Sequence, residues 1–287
     1  MNNSNPLVSV VIPCYNHENF VQDSIQSVID QGYENIELII IDDGSQDGSV
    51  IKIQEMVESC KERFIRFEFR SRANVGLSTT LNEALEWCEG KYFSAIASDD
   101  QMLQDKTAIQ VSFMEKNIDS VAVFGGVYLI DSNSAFINKR LNKNKKYTFK
   151  EIIMHEHDLP APTQMIRLNK IKEVGGYNSN LLIEDWYMWL KLSMNGSIYY
   201  INHIFCLYRQ HDNNMSKNIV KIQQGRLDVL FLFKDNMHYK KALCNIRWLN
   251  AVESSALSNN KNIKKIFRVF LTSPKKTGKA IFKKIKL

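Results

Sequence analysis

Val8-Ser9-Val10-Val11-Ile12-Pro13-Cys14-Tyr15-Asn16 is a run of mostly β-branched residues that stops at a proline and a polar turn. Apolar side chains on successive positions suit a strand buried on both faces, as in parallel sheets. Residues 17–31 then place Phe20, Ser24/Ile25 and Val28 at helical spacing, and Gly32 stands where a left-handed cap would close the helix. Residues 36–41 form a second apolar run, halted by Asp42-Asp43-Gly44-Ser45. Residues 49–61 read as helix, 64–69 as strand, 78–88 as helix and 92–97 as a short strand. This alternation predicts an α/β fold with a mostly parallel central sheet, flanked by helices and joined by right-handed crossovers.

Beyond Asp99-Asp100 the pattern mixes. A helix is expected over 106–116 and an apolar strand over 121–129, followed by an Asn- and Lys-rich stretch, 138–147, that reads as a mobile loop. Pro160 and Pro162 bracket an irregular segment, and Gly175-Gly176-Tyr177, a helix over 184–195 and a strand over 197–208 follow. After Ser216 the chain reads as helical and increasingly basic. This predicts a catalytic domain over 1–220 and a helical, basic, amphipathic C-terminal extension over 221–287.

At 44% hydrophobic and 24% charged residues the composition is that of an ordinary globular protein able to bury a large core. The five cysteines, Cys14, Cys60, Cys88, Cys206 and Cys244, are widely spaced and never in a Cys-x-x-Cys pair. That excludes a zinc-knuckle pattern, gives no disulfide framework, and suits a reducing compartment. Met1 to Pro6 lacks the basic start and apolar run of a signal peptide, and no stretch has the length of a membrane span. The expectation is a cytoplasmic protein, soluble or peripheral at the inner face of the membrane. The formal charge of +6 is uneven: from Lys261 onward basic residues alternate with apolar ones, without any acid. Such a tail suits an anionic membrane surface, and its interleaved apolar residues favour that partner over nucleic acid.

In an open parallel sheet, ligands collect at the carboxyl ends of the strands. Here three strands end in polar groups: Pro13 to Asn16, Asp42 to Ser45, and Ser98-Asp99-Asp100. A pair of aspartates at a strand end can hold a hard divalent cation that bridges a diphosphate. Taken singly, such pairs are ordinary turn formers, and Glu184-Asp185 is ordinary negative charge at a helix N-terminus; at successive strand ends they converge on one rim. Trp186 and Trp189, three apart and followed by Leu190, read as core-facing helix residues, and Cys14 reads as a small buried thiol.

Taken in order, these segments resemble the glycosyltransferase family 2 enzymes of the GT-A fold. The resemblance runs from Val8 to Ser216 through Ile41 to Gly48, Asn74-Val75-Gly76-Leu77, Ser98-Asp99-Asp100, Val174 to Tyr177, Glu184-Asp185-Trp186 and Tyr208-Arg209-Gln210-His211. It implies a sugar transfer from a nucleoside diphosphate sugar to a glycan or lipid-linked acceptor in surface polysaccharide synthesis, with inversion and with Mn²⁺ or Mg²⁺ as cofactor. By that resemblance Asp42, with Asp43 and the Pro13 to Tyr15 turn, would bind the base and ribose. An acceptor carboxylate there matches the N3–H of uracil, which points to UDP and leaves thymidine and guanosine donors open. Asn74 and Gly76 would let backbone approach the nucleotide, Asp99 would face the ribose and donor sugar, and Asp100 would ligate the metal. His211 would approach the same metal or the phosphates, and Arg209 would add charge on the leaving group. Asp185 would be the general base, with Glu184 in reserve. The metal motif is Ser-Asp-Asp rather than Asp-x-Asp, which leaves the division of labour between Asp99 and Asp100 open. A nucleotidyltransferase would want a Gly-rich basic loop near the N-terminus, which Pro13 to Phe20 does not offer. A degenerate homologue that only binds nucleotide would have no use for a base at Asp185.

Overall fold

The computed structural model describes residues 5–212 and 214–257. The basic amphipathic segment expected after Lys261 lies outside the described residues.

The strands are β1 (Val8–Cys14), β2 (Ile36–Asp42), β3 (Arg66–Ser71), β4 (Tyr92–Ala95), β5 (Gln101–Met102), β6 (Ser120–Ile130), β7 (Phe136–Arg140), β8 (Lys145–Tyr147), β9 (Met165–Arg167) and β10 (Ser197–Arg209). Between and after them lie α1 (Val21–Ile29), α2 (Ser49–Gln54), α3 (Val57–Arg63), α4 (Leu77–Trp87), α5 (Lys106–Lys116), α6 (Phe149–Ile153), α7 (Leu168–Glu173), α8 (Glu184–Ser193), α9 (Ile219–Phe231) and α10 (Tyr239–Leu257). One sheet runs in the order β3-β2-β1-β4-β9-β6-β10-β5. Its first four strands are parallel, as the alternation of apolar runs and helices predicts. β9 then enters antiparallel to both β4 and β6, while β6 and β10 run parallel over their length. The sheet is thus parallel on one side and mixed on the other.

Every residue of β2 is buried, and β1 is buried except for half-buried Pro13, as continuous apolar strands between two helical layers must be. The carboxylate of Glu37 inside β2 survives burial by accepting from Ser9 Oγ at 2.5 Å and pairing with Arg66 at 3.0 Å. α1 buries Val21, Ser24, Ile25 and Val28 on one face. It starts later than the periodicity suggests, because residues 17–20 form a turn in which the His17 carbonyl accepts from both Phe20 N and Val21 N at 2.9 Å. This leaves the His17 side chain outside the helical register and free to turn toward the sheet's rim.

Residues 138–147, read from sequence as a loop, instead lie largely in β7 and β8. The carboxylate of Asp131 accepts from Asn133 N at 2.8 Å and Ala135 N at 2.9 Å, a side-chain-built turn that folds the chain back antiparallel on β6. All five β7 residues are exposed, so the strand carries no apolar signature.

The chain divides into two compact units. The first contains the whole sheet, and the second contains Lys150–Glu156, Leu181–Ile183 and the described residues after Asp212. Within the second, α9 and α10 are tied by Arg226 to Glu253 at 2.6 Å and by Gln223 Nε2 to the Asn250 carbonyl at 2.9 Å. Burial, with Arg226 nearby, lowers His155 there to about 4. Among the described residues no helix is long and apolar enough to cross a membrane. All five cysteines are free thiols, four of them buried.

Candidate active site

Cys14 pairs with Asp42 in the β1–β2 register, so both strands deliver their polar ends to one rim. Asp42 is fully buried; its Oδ2 accepts from Ser71 Oγ at 3.0 Å and Ser45 N at 3.2 Å. Its Oδ1 is buried with no partner among the described residues, an acceptor left unpaired at a cost of about 1–3 kcal/mol. Asp43 is consumed locally: Val75 N donates to Oδ1 at 2.9 Å, Gly76 N to Oδ2 at 3.0 Å, and Arg72 pairs with the same carboxylate. Asp43 therefore shapes the 74–76 loop, and Asp42 offers the vacant oxygen. Gly76 has φ +90°, and a Cβ built there would meet nothing within 4 Å, so glycine serves the conformation and leaves the backbone open to approach. Asn74 is exposed, Tyr15 is 46% exposed and Pro13 is half-buried. Asn16, at φ 54°, links the first turn to the second, its N donating to Ser45 Oγ at 2.8 Å.

His17, Asp99 and His211 place one ligand atom each within 4.8 Å of one another. His211 Nε2 lies 2.9 Å from Asp99 Oδ2, and His17 Nδ1 lies 2.7 Å from Ser98 Oγ. Loss of water lowers the His17 pKa, with Asp99 opposing and His211 adding to the fall. Neutral imidazoles with a carboxylate can hold a divalent ion, and two nitrogen donors suit Mn²⁺ and later transition metals better than Mg²⁺.

Asp100, the ligand expected from the Ser-Asp-Asp motif, is not in this group. It is 1% exposed, its Oδ1 accepts the Arg209 backbone N–H at 2.8 Å, and burial beside Asp99 raises its pKa well above the carboxylate range. Arg209, expected to carry charge to a leaving group, is also 1% exposed and committed to the protein. It donates from Nε to the Asp99 carbonyl at 2.8 Å and from Nη1 to Ser134 Oγ at 2.9 Å and the Asp131 carbonyl at 3.2 Å. Its guanidinium also lies 4.7 Å from the centre of the Phe20 ring. It is the clamp that fixes Asp99 rather than a free cation.

Glu184 and Asp185 open α8. Asp185 Oδ1 accepts from Trp186 N at 2.5 Å. Burial raises the pKa of both; Asp185 pushes Glu184 up further, so Glu184 is the group that holds a proton to higher pH. Buried Tyr177 precedes them, and its hydroxyl has no partner among the described residues. Asn82 grips its main chain, Nδ2 donating to the Tyr177 carbonyl and Oδ1 accepting from Tyr177 N, each at 2.8 Å. Gly176, at φ +73°, allows this grip, since a Cβ there would stand 2.6 Å from Asn82 Oδ1. Trp186 and Trp189 are core residues, as their spacing suggested. Sequence reasoning missed His17 and Asn82 and gave Ser98, though part of the Ser-Asp-Asp motif, no role of its own; only the place of His17 directly after the β1 turn hinted at its role.

The strand ends carry an unpartnered carboxylate and a two-histidine-one-aspartate group, and α8 opens on a protonatable carboxyl pair, an arrangement suited to an α/β group-transfer enzyme. Residues 9–175, more than half of the chain, match glycosyltransferase family 2, and the protein belongs to that family. It is 29% identical over 226 residues to an uncharacterized glycosyltransferase of Rickettsia bellii, covering 75% of this chain but 31% of that protein, so it spans about a third of that relative's length. It is 28% identical to the Escherichia coli UDP-Glc:alpha-D-GlcNAc-diphosphoundecaprenol beta-1,3-glucosyltransferase WfgD, over 80% of this chain and 87% of that one. Its fold is that of Staphylococcus aureus TarS, solved in complex with UDP-GlcNAc, with a TM-score of 0.66 at 15% identity over 94% of this chain and 82% of the other. The Pyrobaculum calidifontis mannosyltransferase PcManGT, in complex with GDP-Man and Mn²⁺, superposes with a TM-score of 0.61 at 14% identity over 96% and 83% of the two chains. The GT-A fold expected from the sequence is therefore the fold observed.

Proposed function

We propose that this protein is an inverting glycosyltransferase that moves a sugar from a UDP-sugar to a hydroxyl of a glycan or lipid-linked acceptor in surface polysaccharide synthesis. The observation that carries this reading is the grouping of His17, Asp99 and His211 on the rim where β1, β2 and β4 end, the rim to which β2 also delivers the unpartnered oxygen of Asp42. Asp42 Oδ1 accepts the N3–H of the uracil ring, and the backbone at Gly76 and the Pro13 to Tyr15 turn line the ribose. His17, Asp99 and His211 would hold Mn²⁺, which offsets negative charge on the departing diphosphate. Arg209 keeps Asp99 aimed at that position through its bond to the Asp99 carbonyl.

Asp185 takes the proton of the acceptor hydroxyl as its oxygen bonds to the anomeric carbon; the bond from that carbon to the diphosphate oxygen breaks, and UDP leaves with the electron pair. Glu184, protonated beside Asp185, keeps a second negative charge out of the site while Asp185 acts. The catalytic work falls to residues before 220. The helical part after it, with the basic segment read from composition at 261–287, serves an anionic membrane surface. The relation to WfgD, whose name specifies UDP-Glc and a diphosphoundecaprenol-linked acceptor, supports both donor and acceptor class.

The test is calorimetric titration of UDP, GDP, dTDP and CDP with and without Mn²⁺, followed by assay of sugar transfer in Asp185→Asn. UDP binding that needs Mn²⁺, and loss of transfer with binding retained, is the expected result. A folded protein that binds none of the four would remove the basis for the reading.

A further inference from the structure

A side chain can ligate an ion only if it turns a lone pair toward it, and the three side chains of the rim group are held by different neighbours. Arg209 binds the Asp99 carbonyl at 2.8 Å. The His211 ring lies against Phe20, with centroids 5.3 Å and planes 31° apart, and its Nε2 is 2.9 Å from Asp99 Oδ2. His17 is engaged at Nδ1 by Ser98 Oγ at 2.7 Å. A neutral imidazole carries one proton and one lone pair on its nitrogens, so the bond at Nδ1 decides which of the two Nε2 presents.

Both partners are fixed through their surroundings. The His17 N donates to Ser49 Oγ at 2.9 Å, and its carbonyl accepts from Phe20 N and Val21 N, each at 2.9 Å. Ser98 is 1% exposed, in a turn where the Ala97 carbonyl accepts from Asp100 N at 3.1 Å and from Ser24 Oγ at 3.2 Å. What remains to be settled is the sense of the bond between them. If the Ser98 hydroxyl donated to Nδ1, the imidazole proton would sit on Nε2 and no lone pair would be left for an ion. If it accepts from Nδ1–H, Nε2 is bare.

The sense is set from the far end of a buried relay. Desolvation would raise Asp47, but bonds from Ser49 Oγ and from the Glu18 and Ser49 amides outweigh it and hold the carboxyl below its usual range, so it is ionised and can only accept. Ser49 therefore donates its hydroxyl to Asp47 Oδ1, at 2.5 Å. Its oxygen is left to accept, once from His17 N and once from Cys14. Cys14, also 1% exposed, bonds to both Ser98 and Ser49, and burial pushes its thiol up to about 11, so it keeps its proton. With that proton given to Ser49, the sulfur accepts the Ser98 hydroxyl, and the Ser98 oxygen is left to accept Nδ1–H.

We propose that Asp47, Ser49, Cys14 and Ser98 form a directed hydrogen-bond relay that keeps the His17 proton on Nδ1 and presents Nε2 bare to a divalent cation, with Ser98 the positioning residue at its end. This rests on the metal reading above and adds to it the residues that make the site ready before the ion arrives.

The tautomer is read directly by NMR of the metal-free, full-length protein labelled with ¹⁵N-histidine. The chain has six histidines, and the His17 signal is the one lost in His17→Ala. The parent and Cys14→Ser, which keeps a donor and an acceptor at that position, should show Nδ1–H. Ser98→Ala removes the acceptor, and Cys14→Ala frees the Ser98 hydroxyl to donate to Nδ1; both should move the proton to Nε2. In electron paramagnetic resonance titrations with Mn²⁺ alone, these two variants should bind about tenfold more weakly and Cys14→Ser within about threefold of the parent. Adding Ser98→Ala to His17→Ala should change the affinity less than about twofold, because the relay acts through His17. A parent with the proton on Nε2, a tautomer unmoved by both Ser98→Ala and Cys14→Ala, or an equal effect of Ser98→Ala with and without His17 would each overturn the proposal. If Ser98→Ala does not fold, the two Cys14 variants decide it. A parent that shows Nδ1–H yet binds no Mn²⁺, alone or with UDP, overturns the metal reading instead, so the two failures are told apart.

Discussion

Replacing Arg209 with methionine should unfold the first unit's rim before it affects any chemistry. The guanidinium is 1% exposed and supplies bonds at 2.8 Å to the Asp99 carbonyl, 2.9 Å to Ser134 Oγ and 3.2 Å to the Asp131 carbonyl. Methionine fills most of the volume but leaves those acceptors dry. A buried acceptor deprived of its donor costs about 1–3 kcal/mol, and such losses within one cluster are not additive, so about 3–5 kcal/mol in total is expected. The pair with Asp23, at 3.3 Å and half exposed on the Asp23 side, adds little. For a domain of this size, that loss lowers Tm by about 6–20 °C. Urea and thermal unfolding of Arg209→Met and Arg209→Lys, followed by tryptophan fluorescence, would measure it, because Trp186 and Trp189 lie in the same unit. Lysine should recover only a fraction, since one ammonium cannot reach three acceptors in a fork. A Tm within about 2 °C of the parent, together with a large drop in kcat, would refute the clamp and return Arg209 to the leaving group.

Asp42→Asn replaces an acceptor with a donor opposite uracil N3–H; UDP affinity should fall about 10- to 100-fold and CDP should gain relative to UDP, as read by calorimetry. His17→Ala and His211→Ala should each weaken Mn²⁺ binding by at least about tenfold in electron paramagnetic resonance titrations, while Asp100→Asn should leave it within about threefold if the protein folds. The raised Glu184 carboxyl binds its proton more tightly folded than unfolded, so its contribution falls as pH rises above the ordinary carboxyl value of about 4.3 and goes on falling until the raised group ionises. Glu184→Gln should therefore flatten the decline of stability over neutral pH in denaturant titrations. An unchanged slope would place the proton elsewhere.

The continuous apolar runs at Val8 to Ile12 and 36–41 were legible because burial on both faces leaves no choice of side-chain chemistry along the strand. The turn at Asp131 and the exposed β7 were not, because a strand with no buried face has the composition of a loop. Asp42 could be picked out as a strand-end carboxylate, but its neighbour Asp43 looks identical in sequence; only the donors around each show that one is used up and the other open.

Local sequence pattern dictates the parallel half of the sheet, the rim on which polar strand ends gather and the carboxyl pair that opens α8. These follow from local periodicity and from the rule that parallel strands end on one side. Which aspartate of Asp99-Asp100 faces the histidines was decided only in three dimensions. The turn after β4 sends the Asp100 carboxylate to the β10 backbone and the Asp99 carboxylate to His211. His17 joined them for the same reason: it is 82 residues from Asp99 and 194 from His211 along the chain, and only the packing of β1, β4 and β10 into one sheet brings three ligand atoms to within 4.8 Å.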